Sequence, residues 1–208
     1  MTLKWKSKDR GAVELTIFGI LLRVYLFAGL AAHKILWELL KRGHARSSRQ
    51  NTAEQSPFVQ LVKAGKIAVT VGLFAQLFLP DILPITDNAL IPRIMGVILF
   101  TFGLLIAILA RFELGNNWSD IETGLVRQNH MLVNQGVYRY IRHPIYTGDL
   151  AMLLGFELCL NSWLVLAVVI LAIPTIYGAV REEKLLAETV TGYQDYRAQT
   201  KRFIPFVI

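Results

Sequence analysis

The chain has 208 residues, of which 54% are hydrophobic and only 18% are charged, and its formal net charge is +7. Soluble domains usually carry about 25% charged residues. This composition, with a mean hydropathy of +0.45, excludes a disordered chain and disfavours a water-soluble one. The single cysteine, Cys159, excludes a disulfide framework and a cysteine-based metal site. In so apolar a chain, Lys and Arg that flank membrane spans explain the positive charge better than a nucleic-acid partner does.

Successive apolar stretches predict an all-α, polytopic transmembrane protein with about five spans. The first stretch covers about Val13–Ala32 and the second about Ile67–Pro84, while the third, Ile94–Ala110, contains no charged residue. The last region, Leu150–Val180, has 31 residues. As one helix it would be about 46 Å long, against a hydrocarbon core of about 30 Å, so we expect it to be broken.

The break is predicted at Asn161-Ser162, near the middle of that region, because both residue types favour helix N-caps. The sequence thus predicts a carboxyl-terminal helical hairpin of about Pro144–Leu160 and Trp163–Val180. A hairpin returns the chain to the membrane face that it left. The tail, from Arg181 to about Thr200, is predicted to form a mixed-charge helix on that same face.

The distribution of basic residues predicts the orientation of the chain in the membrane. There are seven in the connection Lys34–Lys66, four in Arg111–Arg142 and five in the tail Arg181–Ile208. With five spans, all three segments fall on one side, which the positive-inside tendency makes cytoplasmic. The basic segment Met1–Arg10, expected to be retained rather than cleaved as a signal peptide, would then lie outside. A first helix that lies in the membrane interface would resolve this conflict.

We divide the chain into two regions. Residues 1–112 are predicted to hold the amino-terminal transmembrane helices and the basic cytoplasmic loop. Residues 113–208 are predicted to be the cofactor-binding catalytic region, made of a cytoplasmic connection, the hairpin and the tail helix. Polar groups are concentrated in Glu113–Tyr146 and Arg181–Arg202, which the hairpin brings together at the membrane surface. Such a place suits a reaction between a polar cofactor and a lipid-like substrate.

Two features there allow a structural or a chemical interpretation. Pro144 fits the first turn of a helix and places Arg142 and His143 at the mouth of the hairpin, where they either anchor a span or bind a ligand. Glu182-Glu183 are expected to begin the tail helix. Their negative charges either stabilise the helix by interacting with its dipole, or they bind a cation or the hydroxyls and amine of a cofactor.

The order of several short motifs resembles the isoprenylcysteine carboxyl methyltransferase (ICMT) family of integral membrane methyltransferases, and phospholipid N- and thiol S-methyltransferases share parts of it. The resemblance runs from about Phe112 to Ile208. It rests on Leu132-Val133, Gly136-Val137-Tyr138, Arg142-His143-Pro144-Ile145-Tyr146-Thr147-Gly148, Glu182-Glu183, Tyr193, Tyr196 and Ile204-Pro205, with Leu114–Ser119 before them.

The resemblance implies an integral membrane enzyme that uses S-adenosyl-L-methionine on the cytoplasmic side. It implies cofactor contacts from His130, Met131, Leu132, Val133, Gly136, Tyr138, His143, Pro144, Ile145, Tyr146, Glu182 and Glu183. The catalytic candidates are Arg142, His143, Glu182 and Glu183, expected to orient groups, with His143 a possible base for an amine or thiol. The substrate candidates are Asn117, Trp118, Asp149 and Arg181.

One position departs from the family pattern. The family commonly has an arginine four residues before the paired glutamates, and this chain has Gly178 there. Arg181 is the available replacement, so recognition of a carboxylate substrate is in question.

We therefore expect methyl transfer to a lipophilic or small acceptor, whether carboxylate, thiol or amine, by an enzyme embedded in the lipid bilayer. No metal or nucleic acid is expected to take part. Because the reaction is an in-line displacement, positioning supplies most of what the protein offers. Two alternatives stay open: an NADPH-dependent sterol- or steroid-type membrane reductase, which shares an Arg-His-Pro-x-Tyr-like segment before a hairpin, and a non-catalytic membrane protein on the same scaffold.

Overall fold

The structure, a computed structural model, describes residues 7–45, 57–79, 82–115 and 131–205. These residues are helical apart from connections and two isolated β-bridges, in agreement with the predicted all-α fold. The elements are α1 (Ser7–Ala45), α2 (Pro57–Gln76), α3 (Leu90–Leu114), a short 3-10 helix (Gly136–Arg139), α4 (Pro144–Cys159), α5 (Val165–Thr189) and α6 (Tyr193–Gln199).

Three helices among the described residues are long and apolar enough to cross a membrane: Ile17–Leu40 within α1, all of α3 and all of α5. This supports an integral membrane protein. The predicted total of five spans stays a prediction, because α4 has only 16 residues and α2 contains two lysines, Lys63 and Lys66.

The predicted break in the last apolar region is confirmed. α4 ends at Cys159 and α5 begins at Val165. Asn161 lies in the turn with φ +52°, and its Nδ2 donates a hydrogen bond of 2.7 Å to the Thr86 carbonyl. Ser162 Oγ accepts the Leu164 N–H at 3.1 Å. Both side chains thus satisfy backbone groups around the turn, as polar residues of this kind do.

The predicted tail helix, Arg181 to about Thr200, is wrong in its limits. Arg181–Thr189 continues α5, and a separate helix α6 follows the turn at Gly192, whose φ is +81°. Glu, Lys, Leu and Ala dominate residues 182–187 and are all good helix formers, so nothing stops the helix where its apolar part ends. Only a glycine adopts this left-handed turn readily.

The second apolar stretch also has different limits from those predicted. Instead of Ile67–Pro84, the helix covers Pro57–Gln76. Hydropathy reports which residues can enter a membrane, whereas lysines such as Lys63 are good helix formers. The helix therefore begins a full ten residues before its apolar part.

Small residues hold α3 and α4 in very close contact. A Cβ atom added to Gly148 would lie 2.6 Å from the Ala107 backbone N, and one added to Gly155 would lie 2.7 Å from the Gly96 carbonyl oxygen. Glycines at such an interface allow two helix backbones to approach each other. Because α4 begins at Pro144, this contact fixes the position of the candidate site residues at its start. The proposed regional boundary, between residues 112 and 113, lies inside α3.

Helix α1 packs on the same pair of helices. Leu26 and Leu30 join a buried cluster with Phe100 of α3 and Phe156 of α4. At the far end of α4, buried Glu157 accepts a 2.9 Å hydrogen bond from Gln76 Nε2. These contacts place α1 and α2 against the α3–α4 pair.

Candidate functional site

The segment that leads into α4 pairs with the tail. The backbone N–H of Arg142 donates to the Lys201 carbonyl at 2.8 Å, and that of His143 donates to the Arg202 carbonyl at 3.1 Å. Thr147 Oγ1 donates to the Phe203 carbonyl at 3.1 Å. The tail therefore runs beside the start of α4, where Pro144 occupies the first turn as predicted.

Glu183 is the centre of a cationic cluster. Its Oε1 atom accepts hydrogen bonds from Arg142 Nε and from Arg202 Nε, both at 2.9 Å. Its Oε2 atom accepts Arg202 Nη2, also at 2.9 Å. Its side chain is only 2% exposed, and a buried carboxylate needs partners of this kind. Glu183 thus joins α5, the start of α4 and the tail.

His143 lies between the two glutamates. Its Nε2 is 3.2 Å from Glu183 Oε1, and its Nδ1 is 3.7 Å from Glu182 Oε2. The imidazole stacks on Tyr146, with ring centroids 5.4 Å apart and 12° between the planes. Tyr146 in turn donates from its hydroxyl to Glu182 Oε2 at 3.1 Å. The side chain of Glu182 is 18% exposed, so this carboxylate is more accessible than that of Glu183.

The stretch before the hairpin brings further predicted cofactor residues to this region. Leu132 packs against a cluster of Val190, Tyr193 and Tyr196. Tyr196 also donates from its hydroxyl to the Tyr138 carbonyl at 2.7 Å. Met131 is 71% exposed and Val133 is half-buried. This stretch is thereby attached to the turn between α5 and α6.

Gly136 begins the 3-10 helix with φ +56°. At this position an added Cβ would collide with the Glu113 carboxylate. That carboxylate accepts the Val137 N–H at 2.8 Å through Oε2. The end of α3 therefore holds the loop that precedes the hairpin.

The surroundings shift the pKa values of several side chains outside the membrane-spanning helices. Burial, followed by the charge of Glu182, raises the pKa of Tyr138 well above its usual range. Hydrogen bonds to Glu183 raise the pKa of Arg202. Burial also raises the pKa of Tyr193 and of Tyr196. The phenols are therefore neutral hydrogen-bonding groups, and Arg202 is a permanent cation.

A second polar pair lies on the α1 side of α4. Asp149 Oδ1 is 3.0 Å from His33 Nε2. The His33 ring stacks on Trp37 at 4.5 Å between centroids, and the Arg111 guanidinium lies 5.8 Å from the Trp37 ring centre. Asp149 follows Tyr146 by three residues, so the two share one face of α4.

The structure brings some of the predicted site residues together and leaves others apart. Arg142, His143, Tyr146, Glu182 and Glu183 contact one another directly, as described above. Pro144 is buried and Ile145 half-buried at the start of α4, whereas Arg181 is exposed on α5 and lies outside these contacts in the described part of the chain. Asn117, Trp118 and His130 lie outside the described residues.

Two residues of the site were not predicted from the sequence. Arg202 follows α6 in a segment of mixed charge, and Glu113 lies in the last turn of the apolar helix α3. Neither belongs to a local pattern that indicates a role. Their partners, Glu183 and Val137, are 19 and 24 residues away, so only the tertiary fold shows the contacts.

About half of the chain is similar in sequence to known proteins. Residues 91–191 match the family model described as phospholipid methyltransferase. The chain is 34% identical over 110 residues to the cobalt-zinc-cadmium resistance protein CzcN of Cupriavidus metallidurans, a match covering 52% of this chain and 50% of that protein. It is 30% identical over 117 residues to the protein-S-isoprenylcysteine O-methyltransferase of Saccharomyces cerevisiae, covering 55% and 49%. The chain thus spans about half the length of these curated relatives.

A solved structure of the eukaryotic intramembrane Ras methyltransferase ICMT has the same fold. It superposes with a TM-score of 0.53 at 20% sequence identity, over 89% of this chain and 68% of that one. The comparisons confirm the resemblance found in the sequence. The chain is thus similar to proteins of the isoprenylcysteine carboxyl methyltransferase family, in sequence over about half of its length and in fold over most of it.

Proposed function

We propose that this protein is an integral membrane methyltransferase that transfers a methyl group from S-adenosyl-L-methionine to a lipophilic or small acceptor. The observation that carries the proposal is the contact of Tyr146 with Glu182, at 3.1 Å, beside the stacked ring of His143. The motif before the hairpin and the paired glutamates, which are 36 residues apart, thereby form one cluster. These residues lie within 91–191, the part of this chain that matches the phospholipid methyltransferase family model.

The chemistry of this cluster fits the proposed methyl donor. When bound, S-adenosyl-L-methionine supplies an electrophilic methyl group on a positively charged sulfonium. Aromatic faces such as those of Tyr146 and Tyr138 attract cations and stack on planar rings. The accessible carboxylate of Glu182 is suited to an amine or to ribose hydroxyls. The exposed Met131, with Leu132, Val133 and Ile145, supplies apolar surface nearby.

Glu183 and Arg142 have a positioning role in this proposal. The Glu183 carboxylate is occupied by two arginines and His143, which leaves it little capacity for a ligand. It keeps His143 in place against Tyr146. Since methyl transfer is a displacement at one carbon, holding the reactants in line at about 3–3.5 Å is the main contribution that such residues make.

We infer that the site faces the cytoplasm. The connection Lys34–Lys66 carries seven basic residues, and the segments on either side of the hairpin are also basic. Basic connections lie preferentially on the cytoplasmic side. The acceptor belongs to the carboxylate, thiol or amine classes, and the names of the relatives include an O-methyltransferase acting on protein isoprenylcysteine.

The test is ligand binding to the full chain in detergent. Calorimetry with S-adenosylhomocysteine, and with NADPH in parallel, compares the wild type with Tyr146→Ala and Glu182→Ala. We expect the wild type to bind S-adenosylhomocysteine and each variant to bind it at least about tenfold more weakly, the equivalent of one lost charge-assisted hydrogen bond. Glu188→Ala is the matched control, because Glu188 is an exposed glutamate on the same helix.

Other results would contradict the proposal. Binding of NADPH alone would favour the reductase, and binding of neither ligand would favour a non-catalytic protein. Unchanged S-adenosylhomocysteine binding in both alanine variants would remove the proposed cofactor site.

A further inference from the structure

Asp149 is an acidic side chain inside an apolar helix. It lies five residues after Pro144, the first residue of α4, which is about 7.5 Å along the helix axis. Ionisable groups within the apolar helices of membrane proteins are costly and mark functional sites by default. The site described above uses Tyr146 on the same face of α4 and does not use Asp149.

The partner of Asp149 comes from a distant part of the chain. His33 of α1, 116 residues away, places Nε2 at 3.0 Å from Asp149 Oδ1. His33 is buried, and its ring is fixed by stacking on Trp37. Beyond Trp37, the Arg111 guanidinium lies over the indole. The imidazole is therefore held in one orientation by groups of α1, α3 and α4.

Asp149 itself is more open than its partner. Its side chain is 35% exposed against 10% for His33. His33 contacts one carboxylate oxygen, Oδ1. Asp149 also interacts electrostatically with Tyr146, whose hydroxyl donates a hydrogen bond to Glu182. An open carboxylate fixed by a buried imidazole thus lies one helical turn from the proposed cofactor site.

We propose that Asp149, positioned by His33, accepts a proton from the methyl acceptor, and that the acceptor is therefore one whose nucleophilic atom carries a proton, such as a thiol or an amine. This inference rests on the proposed function and names the acceptor class for that same site. A carboxylate acceptor would need no such base, because its nucleophilic oxygen carries no proton at neutral pH.

The step balances for a thiol. The S–H proton moves to Asp149 Oδ2, the carboxylate oxygen that His33 does not contact. The sulfur lone pair forms the new bond to the methyl carbon. The bond between that carbon and the sulfonium breaks, and its electron pair stays on the sulfur of S-adenosylhomocysteine. Asp149 afterwards releases the proton to water. His143 is less suited to this role, because both of its ring nitrogens face glutamate oxygens.

The test compares two acceptors in the full chain with S-adenosyl-L-methionine: a long-chain alkanethiol and a prenylated cysteine with a free carboxylate. Asp149→Asn is expected to slow thiol methylation at neutral pH by about 10²-fold, the typical contribution of a general base. The loss should shrink as the pH rises towards the pKa of the thiol, because a thiolate needs no base. The substitution leaves the other titratable groups near His33 and Asp149 unchanged. These are Arg111, Tyr146 and Glu182.

Two further variants separate chemistry from structure. Glu157→Gln changes the other carboxylate of α4, which is buried, and should leave the pH profile unchanged. Asp149→Glu should recover part of the thiol activity. Binding of S-adenosylhomocysteine reports the folding of each variant. Independently of turnover, the infrared S–H stretch of the bound alkanethiol should be shifted to lower frequency in the wild type and not in Asp149→Asn.

The outcomes distinguish this inference from the proposed function. An equal loss for both acceptors at every pH, an unchanged rate in Asp149→Asn, or methylation by the wild type of the carboxylate acceptor alone would each overturn the role of Asp149 while leaving the methyltransferase intact. A wild type that neither binds S-adenosylhomocysteine nor methylates either acceptor would overturn the proposed function, and this inference with it.

Discussion

Arg202 donates to both carboxylate oxygens of Glu183, from Nε to Oε1 and from Nη2 to Oε2, each at 2.9 Å. This is the paired geometry in which arginine binds a carboxylate most specifically. Because Arg142 donates to the same Oε1 atom, the carboxylate links the tail to the start of α4 through α5. The tail is therefore part of the site.

This arrangement predicts the effect of Glu183→Gln. The substitution keeps the shape of the side chain but leaves Arg142 and Arg202 facing a neutral group. Removal of one partner from a buried ion pair costs about 3–5 kcal/mol. We expect a clearly lower thermal unfolding midpoint in detergent, with Glu188→Gln as the exposed control. A midpoint equal to that of the wild type would show that the cluster contributes no net stability.

The α3–α4 interface predicts a contrast between two glycines. In Gly148→Ala the new methyl group would meet the backbone of Ala107 at 2.6 Å, and backbone cannot move aside cheaply. Overpacking of this kind costs about 1–3 kcal/mol. At Gly72 of α2 nothing lies within 4 Å of an added Cβ, so Gly72→Ala should stabilise by up to about 1 kcal/mol. Thermal unfolding in detergent measures both, and equal midpoints would contradict the close contact.

The loop before the hairpin predicts weaker cofactor binding in Gly136→Ala. A non-glycine residue in the left-handed region is strained by about 1–2 kcal/mol. The new methyl group would also displace the Glu113 carboxylate from the Val137 N–H. We expect reduced affinity for S-adenosylhomocysteine in calorimetry, and a smaller reduction in Glu113→Gln. Gly65→Ala, which changes an unobstructed glycine of α2, should bind as the wild type does. Wild-type affinity in Gly136→Ala would exclude this loop from the cofactor site.

Gly178 offers a test of acceptor recognition. Nothing lies within 4 Å of an added Cβ at this position, so Gly178→Arg is sterically allowed one turn before Glu182. Arginine is also a better helix former than glycine, by somewhat less than about 1 kcal/mol. We expect a modest rise in stability and faster methylation of a carboxylate acceptor relative to a thiol. Gly72→Arg should give the stability gain alone, and no change in acceptor preference would show that position 178 does not contact the acceptor.

The sequence predicted the elements that depend on local chemistry. The break at Asn161-Ser162 and the start of α4 at Pro144 are both present. The predicted N-cap role of Asn161 and Ser162 is wrong, because the N-cap of α5 is Leu164 and the two polar side chains bond backbone groups of the turn instead. The continuation of α5 past Arg181 was missed, although the run of helix formers that follows has its first stop signal at Gly192. Contacts such as Arg202 with Glu183 and His33 with Asp149 join residues that are 19 and 116 positions apart. No periodic or local pattern encodes them.

The dependence of Glu183 on Arg202 has a consequence for biosynthesis. Helices α4 and α5 are both synthesised before Arg202, which follows Glu183 by 19 residues. During that interval the carboxylate lacks the guanidinium that occupies both of its oxygens in the finished fold. We therefore expect a chain that is truncated before Arg202 and released from the ribosome to contain the hairpin but to be unable to retain ligand.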